Sequence, residues 1–323
     1  MNRRDFVAAA LALSAGATAA RAQDLPRNKP ITVVVGFAAG GAADAAARII
    51  AKKLQDELGV PVVIDNRAGA GGNIAHQYIA TAAPTDGSVI LLGSVGPLTV
   101  APHMMKVGYD PQKDIAPLTM AVRFPNVLVV HTGVGVKTLA EYIARAKEKP
   151  GSLDFASTGS GSASHLAGEL LNRRAGIDVL HVPYKGGAPA LQDLLGGRVA
   201  SYYSTPATAQ PHIASGKLIP LATTGLARTA SMPDVPTIAE SGYPGFDATN
   251  WYAFVAPRKT PSPILERWNR ELVKVLQAPD VKAELDKHGL TIEPGSRADL
   301  AKVIDEELKA WGTLIRERRI KAE

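Results

Sequence analysis

The chain has 323 residues, 46% of them hydrophobic, with 36 Lys and Arg against 30 Asp and Glu and no cysteine. This length is enough for two domains of ordinary size, and the absent cysteine excludes a disulfide framework, thiolate chemistry and a lipid-bearing cysteine anchor. The net charge of +6 is dispersed, with no basic block beyond Arg316-Glu-Arg-Arg319; it favours anionic ligands weakly and, without an aromatic-studded basic stripe, points away from nucleic acid.

Residues 1–22 read as an export signal rather than as part of the fold. Arg3-Arg4-Asp5-Phe6 is followed by an apolar stretch from Val7, and small residues, Ala20 and Ala22, stand where a signal peptidase reads. The opening is similar to a twin-arginine signal; a general secretory signal is the other reading. In both cases the mature protein is expected to begin near Gln23 and, with no later stretch apolar enough for a membrane helix, to be soluble in the periplasm.

The body of the chain alternates short β-branched runs, Gly/Pro turns and helical patterns. Strands are expected at 31–37, 62–66, 89–94, 127–131, 153–157, 179–184, 200–204, 218–223 and 252–256. Helices are expected at 44–58, 73–83, 139–148 and 162–175; the third opens with a Thr138–Glu141 capping box and the fourth ends at Gly176, a natural C-terminal stop. Two long amphipathic helices, about 262–277 and 297–318, close the chain, and the second is expected to pack back onto the first lobe. Such alternation predicts an α/β protein with parallel sheets covered on both faces. With no flexible linker, two lobes joined by hinge strands near 122–127 and 223–228 are expected: residues 26–124 with 226–323 as one domain, 125–225 as the other.

Two glycine-rich turns lie where a strand should end and a helix begin. One is Phe37-Ala-Ala39-Gly40-Gly41-Ala42-Ala43-Asp44; the other contains Gly159-Ser160-Gly161-Ser162. Such a turn aims free backbone N–H groups and the positive end of a helix dipole at one point, a ready anion site. Two of them, more than a hundred residues apart, predict two lobes closing on one small anion. Asp44 would repel a carboxylate, so it reads as loop support or as a partner for a polar group of the ligand. Tyr184-Lys185-Gly-Gly is either a cleft-facing turn whose hydroxyl or ammonium touches the anion, or a surface turn before a helix carrying Leu191, Leu194 and Leu195. Ser94, Ser204 and Thr205 sit at strand C-terminal ends, where open α/β sheets place ligands.

Other chemistries find little support. Gly133-Val-Gly-Val-Lys137-Thr138 lacks Walker A spacing, and Gly69-Ala-Gly-Gly-Asn73 reads as a tight turn with Asn73 as a helix cap. No Gly-x-Ser-x-Gly elbow or Ser-x-x-Lys is present, and the serines of 157–164 read as loop and cap residues. His165 and Glu169 share a helix face near His181, yet no metal-binding motif accompanies them, so neither metal nor cofactor is expected. A hydrolase using Ser160 or Ser162 with a histidine is the rival class; a receptor that senses without transporting is a third.

Several ordered segments carry a resemblance. Phe37-x-x-Gly-Gly-x-x-Asp44-x-x-Ala-Arg48, Val63-Ile-Asp-Asn66-Arg67-x-Gly-Ala-Gly-Gly-Asn73-Ile, Pro84-Thr-Asp86-Gly87 and Tyr109-Asp110-Pro111-x-Lys-Asp114 come first. Gly159-x-Gly-Ser162-x-x-His165-Leu, His181-Val-Pro-Tyr184-Lys-Gly-Gly and Pro233-Asp-Val-Pro236-Thr follow, with Trp251 after them. Over nearly the whole mature chain these resemble the Bug-type solute-binding receptors of tripartite tricarboxylate transporters. The resemblance implies a two-lobed periplasmic binding protein fold, two Rossmann-like α/β domains joined by hinge strands, and no enzymatic activity. It implies a small organic carboxylate held between the lobes by the two glycine-rich loops, through backbone groups and bridging waters. Partners would be the membrane subunits of a transporter, or a sensor protein. Ala42 and Ala43 replace a hydroxyl that relatives often carry, and the segment after Ser94 is unlike the usual run. Both changes make a more apolar pocket and lean toward an aromatic or otherwise less polar monocarboxylate.

Overall fold

The structure, a computed structural model, describes residues 25–318 and 320; the expected export signal lies outside the described residues. The first half runs β1 (Ile31–Val35), α1 (Ala42–Leu58), β2 (Val62–Asn66), α2 (Asn73–Thr81), β3 (Val89–Ser94), the one-turn α3 (Ala101–Met104), β4 (Ile115–Phe124), β5 (Val127–His131), α4 (Leu139–Glu148) and β6 (Asp154–Ser157). It continues with α5 (Ala163–Ala175), β7 (Leu180–Pro183), α6 (Gly187–Leu195), β8 (Ser201–Ser204), α7 (Pro206–Ala214), β9 (Leu218–Thr223), β10 (Asn250–Pro257), α8 (Ser262–Gln277), α9 (Pro279–Lys287), β11 (Thr291–Ile292) and α10 (Arg297–Arg318).

Two sheets form, in the orders β11-β4-β10-β3-β1-β2 and β7-β6-β8-β5-β9. The expected parallel pairing holds within β3-β1-β2 and within β7-β6-β8. It fails where the chain changes lobe: β10 runs antiparallel to β3 and β4, and β5 antiparallel to β8 and β9. A strand that arrives from the other lobe enters from the cleft end, opposite to strands that leave toward it. Apolar helices cover both faces of each sheet. On the first, Trp268, Leu272 and Ile50 pack on one side and Trp251, Leu300 and Ile304 on the other. The amphipathic α10 thus returns to the first sheet.

β4 was not anticipated, because Pro117 and Thr119 interrupt its apolar run. Both sit beside irregularities in its pairing with β10, and bulges are where a sheet tolerates proline. The Thr138 hydroxyl caps α4 at Glu141 N, but the Glu141 carboxylate reaches back to Lys137 N, not to the capping residue's own N–H. Asn73 begins α2 instead of capping it; its amide donates to Ala70 O at 2.6 Å and its oxygen accepts from the Tyr109 hydroxyl at 2.7 Å.

The outgoing crossing lies at Pro125–Asn126, inside the expected hinge. The return does not lie at 223–228. Residues after β9 stay with the second sheet: Ile238, Phe246 and Ala248 join its core with Leu128 and Leu221, and Met232 joins the other face with Val127. The chain returns at about residues 248–250, which moves 226–248 from the first lobe to the second. The misassignment has a plain origin, since the segment is irregular and carries little periodicity, while its apolar residues seek the nearest uncovered edge of β9. Truncating the fully buried Phe246 to Ala should cost roughly 3–5 kcal/mol. Hydrogen exchange should show the loss of protection in β5 and β9 and leave β1–β3 protected; loss confined to the first sheet would contradict this placement.

Candidate functional site

Three of the contacts between the lobes bring loop backbone against loop backbone. Ala38 N–H, from the β1–α1 loop, donates to Lys185 O at 3.0 Å. The turn at Gly69–Gly72 meets the β6–α5 loop so closely that a Cβ on Gly71 would lie 2.4 Å from Ser160 O, and Gly71 also has φ +63°. A Cβ on Gly96 would lie 2.6 Å from Gly161 O. Only glycine allows backbone to meet backbone at this distance.

Behind these contacts lies a cavity lined from both lobes. Gly41, Ala42 and Ala43 bring the N-terminus of α1, and Ala163 and Ser164 that of α5; Gly187 brings that of α6, and Thr205 and Thr208 that of α7. The entries to α1, α6 and α7 have no side-chain cap; α5 is capped by Ser162, whose hydroxyl accepts from His165 N. Each N-terminus presents about half a positive charge. Among the described residues no Lys, Arg, His, Asp or Glu lines the cavity. Its electrostatics therefore come from backbone, and they favour an anion.

The remaining wall is aromatic and amide-bearing: Phe37, Tyr202, Tyr203 and Tyr252, with Ser94, Asn126 and Asn250. Burial pushes the three phenols well above their ordinary pKa, so they stay neutral. Ser94 Oγ, Asn126 Nδ2 and Asn250 Oδ1 are buried with no protein partner, although buried polar atoms are almost always paired.

The sequence-derived residues separate into two groups. Phe37, Gly41, Ala42, Ala43, Ser94 and Thr205 line the cavity. Ala39 and Gly40 are exposed on the outer edge of the first loop. Asp44 holds that loop from behind: it accepts from Gly40 N at 3.0 Å, Arg48 Nε at 2.9 Å and Asn66 Nδ2 at 3.0 Å. Burial alone would raise its pKa, but these hydrogen bonds, that of Arg48 first, hold it below the usual range. Gly159, Ser160 and Gly161 form the contact with the first lobe instead of the cavity wall, and Ser162 caps α5. The Tyr184 hydroxyl turns away to Asp193 at 2.8 Å, Lys185 is exposed with its carbonyl at the lobe contact, and Ser204 Oγ donates to Thr205 O at 3.3 Å. Asn126, Thr158, Tyr202, Thr208 and Asn250 were not singled out in the sequence; Asn126 and Asn250 come from the crossings, Tyr202 from an SYYS strand that reads only as core, Thr158 from the β6–α5 loop and Thr208 from the first turn of α7.

A histidine pair braces the second loop. The rings of His165 and His181 stack at 3.8 Å between centroids. Gly161 N–H donates to His165 Nδ1 at 3.0 Å, while Ser157 Oγ accepts from Gly159 N at 3.0 Å and lies 2.6 Å from His181 Nε2. Ser157 and His181 have the spacing of a nucleophile and its base, but Ser157 is fully buried and outside the cavity. A nucleophile must be reached by substrate, so the pair is a brace. The metal grouping weighed around His165, Glu169 and His181 is likewise not among the described residues as a set of three or more ligands.

A model of the tripartite tricarboxylate transporter family receptor matches residues 46–320. The chain belongs to this family. It is 39% identical over 322 residues to the "UPF0065 protein in tcbD-tcbE intergenic region" of Pseudomonas sp. (strain P51), covering 99% of this chain and 96% of that protein. It resembles the solved structure of the periplasmic binding protein BugD, at 32% identity and a TM-score of 0.88, covering 92% of this chain and 100% of that one. It also resembles R. palustris Rpa4515, solved with adipate, at 33% identity and a TM-score of 0.86 over 91% of this chain and 99% of that one. The fold is therefore the two-lobed periplasmic binding protein fold, and the family is one of solute-binding receptors, not enzymes.

Burial holds His76 at a pKa of about 4, and it depresses His165 and His181 as well, with the neighbouring His181 ring adding to the effect on His165. Unfolded histidines take up protons near pH 6.5 while these stay neutral in the fold, so acid favours unfolding. Their contribution is complete above about pH 6.5 and declines as pH falls toward the folded values. His76 alone should remove about 2 kcal/mol by pH 5. Urea midpoints measured from pH 7.5 to 5 should fall accordingly; a flat profile would mean that these rings are accessible.

Proposed function

We propose that this protein is an exported periplasmic receptor that captures a small organic carboxylate between its lobes and delivers it to the membrane subunits of a tripartite tricarboxylate-type transporter. One observation carries the reading: four helix N-termini, that of α1 from the first lobe and those of α5, α6 and α7 from the second, converge on one cavity that, among the described residues, is lined by no charged side chain. An anion is stabilised there by dipoles and N–H groups, and no group is placed to attack it. The adipate held by Rpa4515 supports the choice of a carboxylate, and BugD supports the periplasm.

Residues 25–124 with 250–318 and residues 127–248 would move as two bodies about the crossings at 125–126 and 248–250. A ligand can favour closure only by binding the closed arrangement more tightly than the open one. Contacts to both lobes supply that difference, and bridging waters can complete them at little cost. Phe37, Gly41, Ala42, Ala43, Ser94 and Thr205 would touch the ligand or its waters. Asp44, Ser162 and the His165–His181 pair would hold the loops, and Gly159, Ser160 and Gly161 would permit closure.

Native mass spectrometry of the mature protein and thermal shift against aliphatic, aromatic and amino-acid carboxylates test this. A matching acid at a hundred times its Kd should stabilise the fold by about 2.7 kcal/mol, a rise of several degrees in Tm. No response from any class, and no acid carried through purification, would overturn the reading. Gly71→Val and Gly161→Val put a side chain into the lobe contact, the latter 2.9 Å from the Ala101 methyl. Both should lower affinity at least tenfold, by about 1.4 kcal/mol or more, and enlarge the radius of gyration in small-angle scattering with ligand present. Wild-type affinity in both would show that closure is not part of binding.

A further inference from the structure

The floor of the cavity is made by the two chain crossings. Asn126 lies between β4 and β5, Asn250 opens β10, and Ser94 ends β3 opposite Tyr252 of β10. The three are 2%, 9% and 3% exposed respectively, all line the cavity, and each keeps one polar atom without a protein partner. Their backbones are not free to relieve this. Asn126 N donates to Thr224 Oγ1 at 2.9 Å, Thr224 N to Asn126 O at 2.9 Å, and Thr224 Oγ1 to Ala248 O at 3.1 Å. The crossings are thus tied to each other through Thr224, and the asparagine side chains project from this frame into the cavity.

Resting on the receptor reading above, we infer that Asn126 and Asn250, with Ser94, are specificity-determining groups for the end of the ligand remote from its carboxylate. They select a monocarboxylate that carries a neutral group able both to donate and to accept a hydrogen bond: a hydroxyl or an amide. The helix N-termini serve one carboxylate near the loops, but the floor is built from strand crossings and offers no helix dipole and no Lys or Arg. A second carboxylate reaching it would exchange full hydration for two carboxamides and a hydroxyl. Whichever way each amide is turned, a carboxamide presents a donor and an acceptor; a neutral hydroxyl or amide matches both, whereas a carboxylate only accepts. The aromatic walls from Phe37, Tyr202 and Tyr252 suit an apolar body between the two ends. Because one asparagine sits on each crossing, a group that bridges them also joins the two segments about which the lobes would turn.

Isothermal titration of the mature protein with two probe series tests this: pentanoate, 5-hydroxypentanoate and glutarate, then phenylacetate, 4-hydroxyphenylacetate and 4-carboxyphenylacetate. In at least one series the hydroxy acid should bind about tenfold more tightly than both its parent and its diacid. Asn126→Leu and Asn250→Leu should each erase most of that preference, read as the ratio of hydroxy-acid to parent-acid affinity within the same variant, with melting curves confirming the fold. A wild-type protein that prefers the diacid in both series, or gains nothing from the hydroxyl, overturns the inference and leaves the receptor reading standing; this arm needs no variant to fold. If no acid binds and none is carried through purification, the receptor reading fails and the inference falls with it.

Discussion

The structure depends on backbone approaching backbone across the cleft. At Gly71 against Ser160, and at Gly96 against Gly161, there is no room for a side chain, and the Ala38–Lys185 hydrogen bond joins main chain to main chain. Such contacts are short and insensitive to side-chain rotamers. They bring the N-termini of α1 and α5, from opposite lobes, to one cavity. A single added methyl at Gly71 would hold the two loops apart and, with them, two of the dipoles that make the site favourable to an anion.

Among the described residues the cavity is lined by no charged side chain, and its positive potential is distributed over helix ends. With no Lys or Arg lining the cavity among the described residues, an anion there would be held by many modest interactions, each dependent on position. Position is supplied from behind. Asp44 gathers the first loop through Gly40, Arg48 and Asn66, and the stacked histidines hold Gly159 and Gly161 through Ser157 and His165. The polar residues that looked most chemical in the sequence therefore act one step away from the ligand space. Burial disfavours protonation of these same rings, so the groups that order the loop favour the fold less as pH falls.

The crossings give the other half of the design. Pro125–Asn126 and the segment at 248–250 are linked through Thr224, and the strands they feed enter each sheet antiparallel. The floor of the cavity and the connection between the lobes are thereby the same few residues, and an occupant of the floor contacts both.

Much of the fold was legible because its signals are local. β-branched runs marked all nine anticipated strands to within two residues, Gly176 ended α5, and the glycine-rich turns marked where strands give way to helices, as backbone requirements of single turns. Fold class and family followed from ordered motifs. What only the tertiary structure decided is which atoms meet. The placement of 226–248 depends on which edge its scattered apolar residues cover, β4 is stabilised by its neighbours despite Pro117, and the turn of Tyr184 away from the cavity depends on Asp193 nine residues later. Asn126 and Asn250, 124 positions apart, share a cavity floor because two crossings pass side by side. Periodicity and turn chemistry are properties of neighbouring residues; a site between two lobes is a property of residues that only packing makes neighbours.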